Sequence, residues 1–287
     1  MGLIGYLIVK ELSDSKHAYL SGLAIILLPT VILNSSMWAQ CDSIYTTFVL
    51  LSLYLLIKEK YSLSFLLLGV AFSFKLQFAF ILPVYIILYF VNKKFSIFNF
   101  LLIPLGNILM CLPVILMGMP VINCFTTYLE QTTDYSVILT RNLANIYQFL
   151  PNEKIIGYLF LLVTALLFLG LLIFFLKRKK EIEKKEIITI ALLSVLIAVY
   201  FLPFMHERYM FMGDVLSIIW WFLYKKKIYI PIIINLSSLA GYSIYLFGLD
   251  MPLWPFSLLL LIALISLLSE VIEKQIFRAF GARKNSV

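Results

Sequence analysis

Apolar residues fall in long blocks separated by short polar segments. A bilayer core about 30 Å thick needs roughly 20 apolar residues per crossing helix, and fewer where a helix is half-buried in protein. On that measure the blocks predict ten transmembrane or half-spanning helices, near 17–33, 43–57, 61–74, 76–91, 96–116, 155–176, 187–203, 209–224, 228–247 and 253–272. Several of these are too short to cross lipid alone. The expected fold is all-α, one polytopic membrane domain over 1–287, because no internal repeat and no Gly/Ser linker divides the chain.

The first segment does not fit that pattern. Met1 to Val9 is apolar but too short to span, and it runs straight into Lys10-Glu11. A signal peptide would carry basic residues before the apolar stretch and a small-residue cleavage site after it. Residues 1–9 therefore read as a stub, the tail of a truncated helix, with a short interfacial turn as the alternative.

Composition narrows the class. The chain is 62% hydrophobic and 13% charged, against roughly 45–50% and about 25% in soluble domains, which excludes an ordinary soluble fold. The net charge of +8 comes from basic clusters between apolar runs, a pattern of membrane topology and not of nucleic-acid binding. Basic loops stay on the cytoplasmic side. Of 23 Lys and Arg residues, all but Lys75, Arg141, Lys154 and Arg208 fall in alternate loops, the densest being 177–186. The chain thus reads as a multi-pass protein of the cell membrane with its basic loops cytoplasmic. The large loop 118–153 is then external, and its interleaved aromatics, Tyr128, Tyr135 and Tyr147, with Glu130 and Arg141, argue for an ordered, interfacial segment. Cys41, Cys111 and Cys124 show neither CxxC spacing nor an even count, so no disulfide framework or zinc knuckle is readable.

Polar chemistry collects on that same side. Asn34-Ser35-Ser36-Met37-Trp38-Ala39-Gln40-Cys41-Asp42-Ser43 brings an indole, amides and a carboxylate to the mouth of the bilayer, a combination suited to a sugar ring or a phosphate. Asp42 is equally placed to cap the following helix. Lys75 and Gln77 sit at the second external turn, where Lys75 either points into a shared cavity or snorkels to headgroups. His206-Glu207-Arg208-Tyr209 is the densest titratable group outside the basic loops. In a helix over 206–214, Glu207 and Asp214 would share a face able to hold a cation, or Glu207 would simply favour a helix N-terminus.

The segment Trp38-Ala39-Gln40-Cys41-Asp42, with Phe74-Lys75-Leu76-Gln77 and His206-Glu207-Arg208-Tyr209, resembles bacterial integral-membrane glycosyltransferases of the GT-C superfamily. The similarity is to the group related to the second GPI mannosyltransferase and, more distantly, to dolichol-dependent glucosyltransferases. It extends from about residue 10 onward, and Ala39 stands where the family has glycine. The resemblance implies transfer of a hexose from a polyprenyl-phosphate donor to a glycan, lipid or protein acceptor on the external face, with inversion, in the synthesis of a cell-surface glycan. It also implies that Trp38, Gln40, Asp42, Lys75, Gln77, His206, Glu207, Arg208 and Tyr209 bind donor or substrate. Asn142, Asn145 and Tyr147 match an Asn-x-x-Asn-Ile-Tyr segment that covers the site. A divalent metal, Mg or Mn, would fall to Glu207 and Asp214.

The family's catalytic acid lies in an early external loop that the stub at Met1 would have lost, so Asp42 is the remaining candidate base. Inverting transfer needs a carboxylate within about 3 Å of the acceptor hydroxyl. Two other functions stay open, a transporter or flippase of lipid-linked sugars and a non-catalytic membrane subunit of a glycan synthase. Transporters show matched, broken helices in two halves, and no such pairing is visible here.

Overall fold

The computed structural model describes residues 1–134, 138–178 and 180–284, with side chains described outside 129–134 and 274–284. Tyr135 and the side chain of Glu130 lie outside the described residues. Those residues form α1 (Gly2–Leu12), α2 (Tyr19–Leu27), α3 (Pro29–Ile32), α4 (Asp42–Ile57), α5 (Tyr61–Phe74), α6 (Leu82–Val91), α7 (Leu102–Leu116), α8 (Asn123–Asp134), α9 (Lys154–Lys177), α10 (Lys184–Phe201), α11 (Phe211–Tyr224), α12 (Tyr229–Phe247) and α13 (Trp254–Lys284). Short 3-10 turns precede α6, α7, α9 and α11, and two strand fragments, β1 (Thr140–Arg141) and β2 (Met205–His206), pair in parallel.

The expected all-α fold is present, but the ten spans are not. Among the described residues four helices are long and apolar enough to cross a membrane: Ile97–Leu116, α9, α12 and Trp254–Glu273 of α13. A fifth results if α2 and Pro29–Met37, bent by 57°, count as one. Proline at the first position of α3 starts a new helix direction there. Elsewhere length decides: the 14 residues of α5 and of α11 rise only about 21 Å, well short of the bilayer core. These apolar helices make the chain a membrane protein in which short helices pack inside a few long ones.

At the centre stands α10. Every residue from Glu186 to Tyr200 is buried, the mark of a helix apolar on all sides and enclosed by others, here by α6, α9, α11 and α13. Its few polar groups are satisfied inside: Ser194 Oγ donates to Phe80 O (2.6 Å), and Thr189 receives Trp220 Nε1 (3.2 Å). In contrast, α9 presents Ile155, Leu159, Leu162, Leu166 and Leu169 outward, each about half or more exposed.

Lipid tails are as apolar as leucine, so burying side chains from lipid supplies little drive, and close backbone approach and interhelical hydrogen bonds must hold the helices. Both are found. Ser52, Ser64 and Tyr85 bond one another across α4, α5 and α6, with Tyr85 Oη 2.6 Å from Ser52 Oγ and 2.9 Å from Ser64 Oγ. Gly69 and Gly106 bring α5 against α7 so tightly that a Cβ on Gly69 would strike Ile103 O, and one on Gly106 would strike Leu66 O. The segment read as a stub extends through Lys10 to Leu12 and packs on α2, α4 and α11, with Ile8 and Val9 wholly buried.

Two ends of the bundle differ in character. Glu11–Lys58, Glu59–Lys184 and Lys94–Glu181 tie the basic loops together at one end. At the other end the large loop is folded into α8, β1 and a 3-10 turn. It is sewn to the segment before α11 by the register Thr140–Met205 and Arg141–His206 and by Phe204 N–H to Leu139 O (2.7 Å).

Replacing Gly106 with leucine is expected to force α5 and α7 apart and abolish the monodisperse folded protein in detergent, whereas Gly170→Leu, where nothing lies within 4 Å of an added Cβ, should leave it intact. Size-exclusion profiles of the two variants check this.

Candidate functional site

The tryptophan motif owes its shape to two local departures from α-helix. After α3 the chain makes one π-helical turn, Leu33–Met37, in which Trp38 N–H bonds Leu33 O at 2.8 Å. Such wide turns are rare and gather at functional sites. Ala39 then adopts φ +54°, a left-handed conformation that suits glycine and strains alanine. A glycine at that position would adopt the same conformation without strain.

The strained turn delivers Asp42 to the first position of α4. It makes no cap, since the residue before the helix, Cys41, has no side-chain bond there. Asp42 is instead wholly buried and ion-paired with Lys75, and its second oxygen accepts Asn34 Nδ2 at 3.0 Å. Asn34 also donates to Tyr242 Oη on α12 (3.2 Å). The ammonium of Lys75 lies over the rings of Tyr45 (5.7 Å) and Tyr209 (5.3 Å). Of the two expectations for Lys75, a cavity position is the one observed.

Arg208 joins the motif from the other side. Its Nη1 donates to Gln40 Oε1 (2.9 Å) and its guanidinium lies 5.7 Å from the Trp38 ring. Trp38 in turn stacks on Tyr245 at 4.5 Å and meets Tyr242 edge-on. His206 stands on β2 with its ring 5.2 Å from that of Tyr209. Burial first, and then the positive charges of Arg208, Arg141 and Lys75, pull the His206 pKa down to about 4, so the imidazole is neutral at pH 7.

Lys75, Gln77, His206, Arg208 and Tyr209, with Gln40 and Cys41, line a cavity of about 1080 Å³. Its far wall is a stripe that the site reading from sequence did not include: Lys154, Tyr158, Leu161 and Phe168, on one face of α9. Leu76, Phe80, Leu202 and Phe204 complete the apolar part, and Thr127 and Tyr128 of α8 close one side. The signal for Lys154 was present, because it is one of four basic residues outside the basic clusters and begins an i, i+4, i+7 series.

Other expected site residues lie away from the cavity. Asp42 sits beneath Lys75, and Trp38 sits behind Arg208. Asn145 accepts Tyr147 N–H through its side chain (3.2 Å) and Ser257 Oγ through its backbone oxygen (2.7 Å), while Tyr147 Oη donates to Phe201 O (2.9 Å). These residues, with Asn142, hold the loop to α10, α12 and α13. Asn142 takes φ +49°, and its carbonyl lies so near Gly241 that any Cβ there would collide with it.

Glu207 begins a 3-10 turn, which breaks the single helix expected over 206–214. It is 2% exposed, and burial raises its pKa. Asp214, seven residues on, accepts Ser238 Oγ at 2.8 Å inside the bundle. Neither lines the cavity. Among the described residues no three His, Cys, Asp or Glu gather into a cluster. A scan of protein-family models and searches of curated proteins and of solved structures return no match.

Two substitutions test this construction by thermal unfolding in detergent. Ala39→Gly is expected to stabilise the protein by about 1 kcal/mol by removing the left-handed alanine. Asp42→Asn, which leaves Lys75 buried beside a neutral group, is expected to cost about 3–5 kcal/mol, with Asp42→Asn/Lys75→Met recovering most of the loss.

Proposed function

We propose that this chain binds a polyprenyl-phosphate-linked sugar and, as a GT-C-like membrane glycosyltransferase, transfers the sugar with inversion to a glycan, lipid or protein acceptor. The site end would face the outside of the cell membrane and the basic loops the cytoplasm. One observation carries the reading: the cavity joins a polar end bearing Lys75, Lys154 and Arg208 to an apolar wall that follows α9 as far as Phe168. A phosphate needs fixed positive charge, and a guanidinium presents its donors in the fork that matches phosphate oxygens. A prenyl chain needs a path along apolar side chains into the bilayer. Few ligands other than a lipid phosphate want both ends of such a cavity.

The roles follow from position. Arg208, oriented by Gln40 and Trp38, and Lys154 take the phosphate oxygens. Lys75 contributes charge while Asp42 and Asn34 fix its place. His206, neutral in the free protein, supplies a hydrogen bond and becomes easier to protonate once an anion is beside it. As the bond from the anomeric carbon to the phosphate breaks, negative charge grows on the leaving phosphate, where these cations already stand. This also agrees with the motif resemblance at Trp38-Ala39-Gln40-Cys41-Asp42 and His206-Glu207.

A second reading has its own support. The lining contains no carboxylate among the described residues, and Asp42 is committed to Lys75. A chain of this kind would hold the donor without taking a proton from an acceptor, as the membrane subunit of a larger synthase. Binding and turnover separate the two.

The test is binding of a polyprenyl-phosphate sugar to the purified protein. Arg208→Ala and Lys154→Ala are each expected to weaken it about 10- to 100-fold, the loss of one charge-assisted contact, and Phe168→Asp to do so through the apolar wall. Unchanged affinity in all three would remove the assignment. The ligand's phosphodiester keeps a constant charge, so affinity should rise as pH falls from about 7 to about 5, because an anion raises the His206 pKa toward its ordinary value. In His206→Gln that rise should vanish.

A further inference from the structure

The four basic residues that stand outside the basic loops, Lys75, Arg141, Lys154 and Arg208, arrive at one place from four separate segments of the chain. Lys75 follows α5, Lys154 opens α9 and Arg208 lies in the turn before α11, and all three line the cavity. Arg141 comes from the large loop: on β1 it is in register with His206 of β2, which lines the same cavity. The carboxylates that answer these cations are fewer. Asp42 is paired with Lys75. Glu207 follows His206 in the chain, and its Cβ and the Asn142 carbonyl crowd the same point at Gly241, which sets it beside the strand that carries Arg141. Glu153 and Asp250 are exposed and do not line the cavity. With Glu207 counted as ionised, the described side chains at the cavity still leave two positive charges unbalanced. Like charges held together in a partly enclosed site repel, and an anion of two charges removes that repulsion where a phosphodiester, with one, does not.

The cations also stand on separate walls. Lys154 begins the stripe of Tyr158, Leu161 and Phe168, which rises about 21 Å along α9, so it is placed at the head of the apolar path. Arg208 stands across the cavity, held by Gln40 at 2.9 Å, with Arg141 on the neighbouring strand fragment. We propose that the donor is held through a diphosphate, the phosphate next to the prenyl chain against Lys154 and the phosphate next to the sugar against Arg208 and Arg141. This rests on the reading of the cavity as a lipid-phosphate site and narrows it from one negative charge to two. Lys75 keeps Asp42 as its partner and adds to the field at both phosphates.

The experiment measures binding of two sugar-free diesters to the full chain in detergent: farnesyl methyl phosphate, with one negative charge at pH 7, and farnesyl methyl diphosphate, with two. Neither depends on the identity of the hexose. At about 50 mM salt the diphosphate is expected to bind about 10-fold more tightly, the gain of one further charge-assisted contact, and the ratio should shrink at about 500 mM as screening shortens the reach of the charges. Arg141→Gln, at an exposed position, should weaken the diphosphate about 10-fold and leave the phosphodiester unchanged, whereas Lys154→Gln should weaken both. Equal affinity for the two diesters, or a preference for the phosphodiester, overturns the diphosphate and leaves the lipid-phosphate reading in place. An Arg141→Gln protein that keeps the wild-type ratio overturns the position given to the second phosphate. Binding of neither diester overturns the reading of the cavity, and this inference with it.

Discussion

A carboxylate and an ammonium buried together constrain this structure more than any other contact. Away from water each ion alone costs several kcal/mol, and the pair is tolerated only where geometry is close and the remaining lone pairs are used. Asp42 meets that requirement through Lys75 and Asn34. Because Lys75 follows α5 and Asp42 opens α4, the pair fixes where two helices end. Because Asn34 also reaches Tyr242, it ties that end to α12. The cavity is then built around a lysine whose charge is already balanced from below, so an incoming anion meets a positioned cation and not one that must first be ordered.

The rest of the bundle answers a different constraint. Where lipid is the solvent, apolar area is not in short supply, and it cannot tell one helix arrangement from another. Specificity comes from the exceptions to apolarity: the hydroxyl cluster of Ser52, Ser64 and Tyr85, the crossing at Gly69 and Gly106, and the close approach of Asn142 to Gly241. The central helix α10 shows the same economy, with Thr189 and Ser194 each spent on a neighbouring element.

How much of this was legible in the chain depended on what kind of information each element carries. Apolar blocks reveal helices well, and all ten expected segments contain helical structure. They do not reveal whether a helix meets lipid or protein, since α10 and α9 both contain a long apolar run and one is enclosed while the other is exposed. The length of a block was therefore a poor guide to the number of crossings. At the site, the motifs around Gln40, Lys75 and His206 to Tyr209 converge because their polarity is out of place in apolar surroundings. Leu161 and Phe168 are ordinary residues in an ordinary apolar run, and only the folded position of α9 gives them a part. Asn145 and Tyr147 mislead in the opposite sense: they are polar, and they are used to fasten a loop.

The π-helical turn before Trp38 has a consequence for how the site tolerates change. An α-helix turns about 100° per residue, and the wide turn absorbs one residue more than an α-helical turn would. The aim of Trp38, Gln40 and Asp42 is thus a matter of helical phase: the turn takes up the rotation of one residue, and the motif points where a regular helix one residue shorter would point it. Deleting one residue of the turn would let it relax into that regular helix with the motif still on target, whereas inserting one more would swing the motif about a quarter-turn away with every side chain in it unchanged. Loss of a residue in that short segment is accordingly far milder for this protein than gain of one.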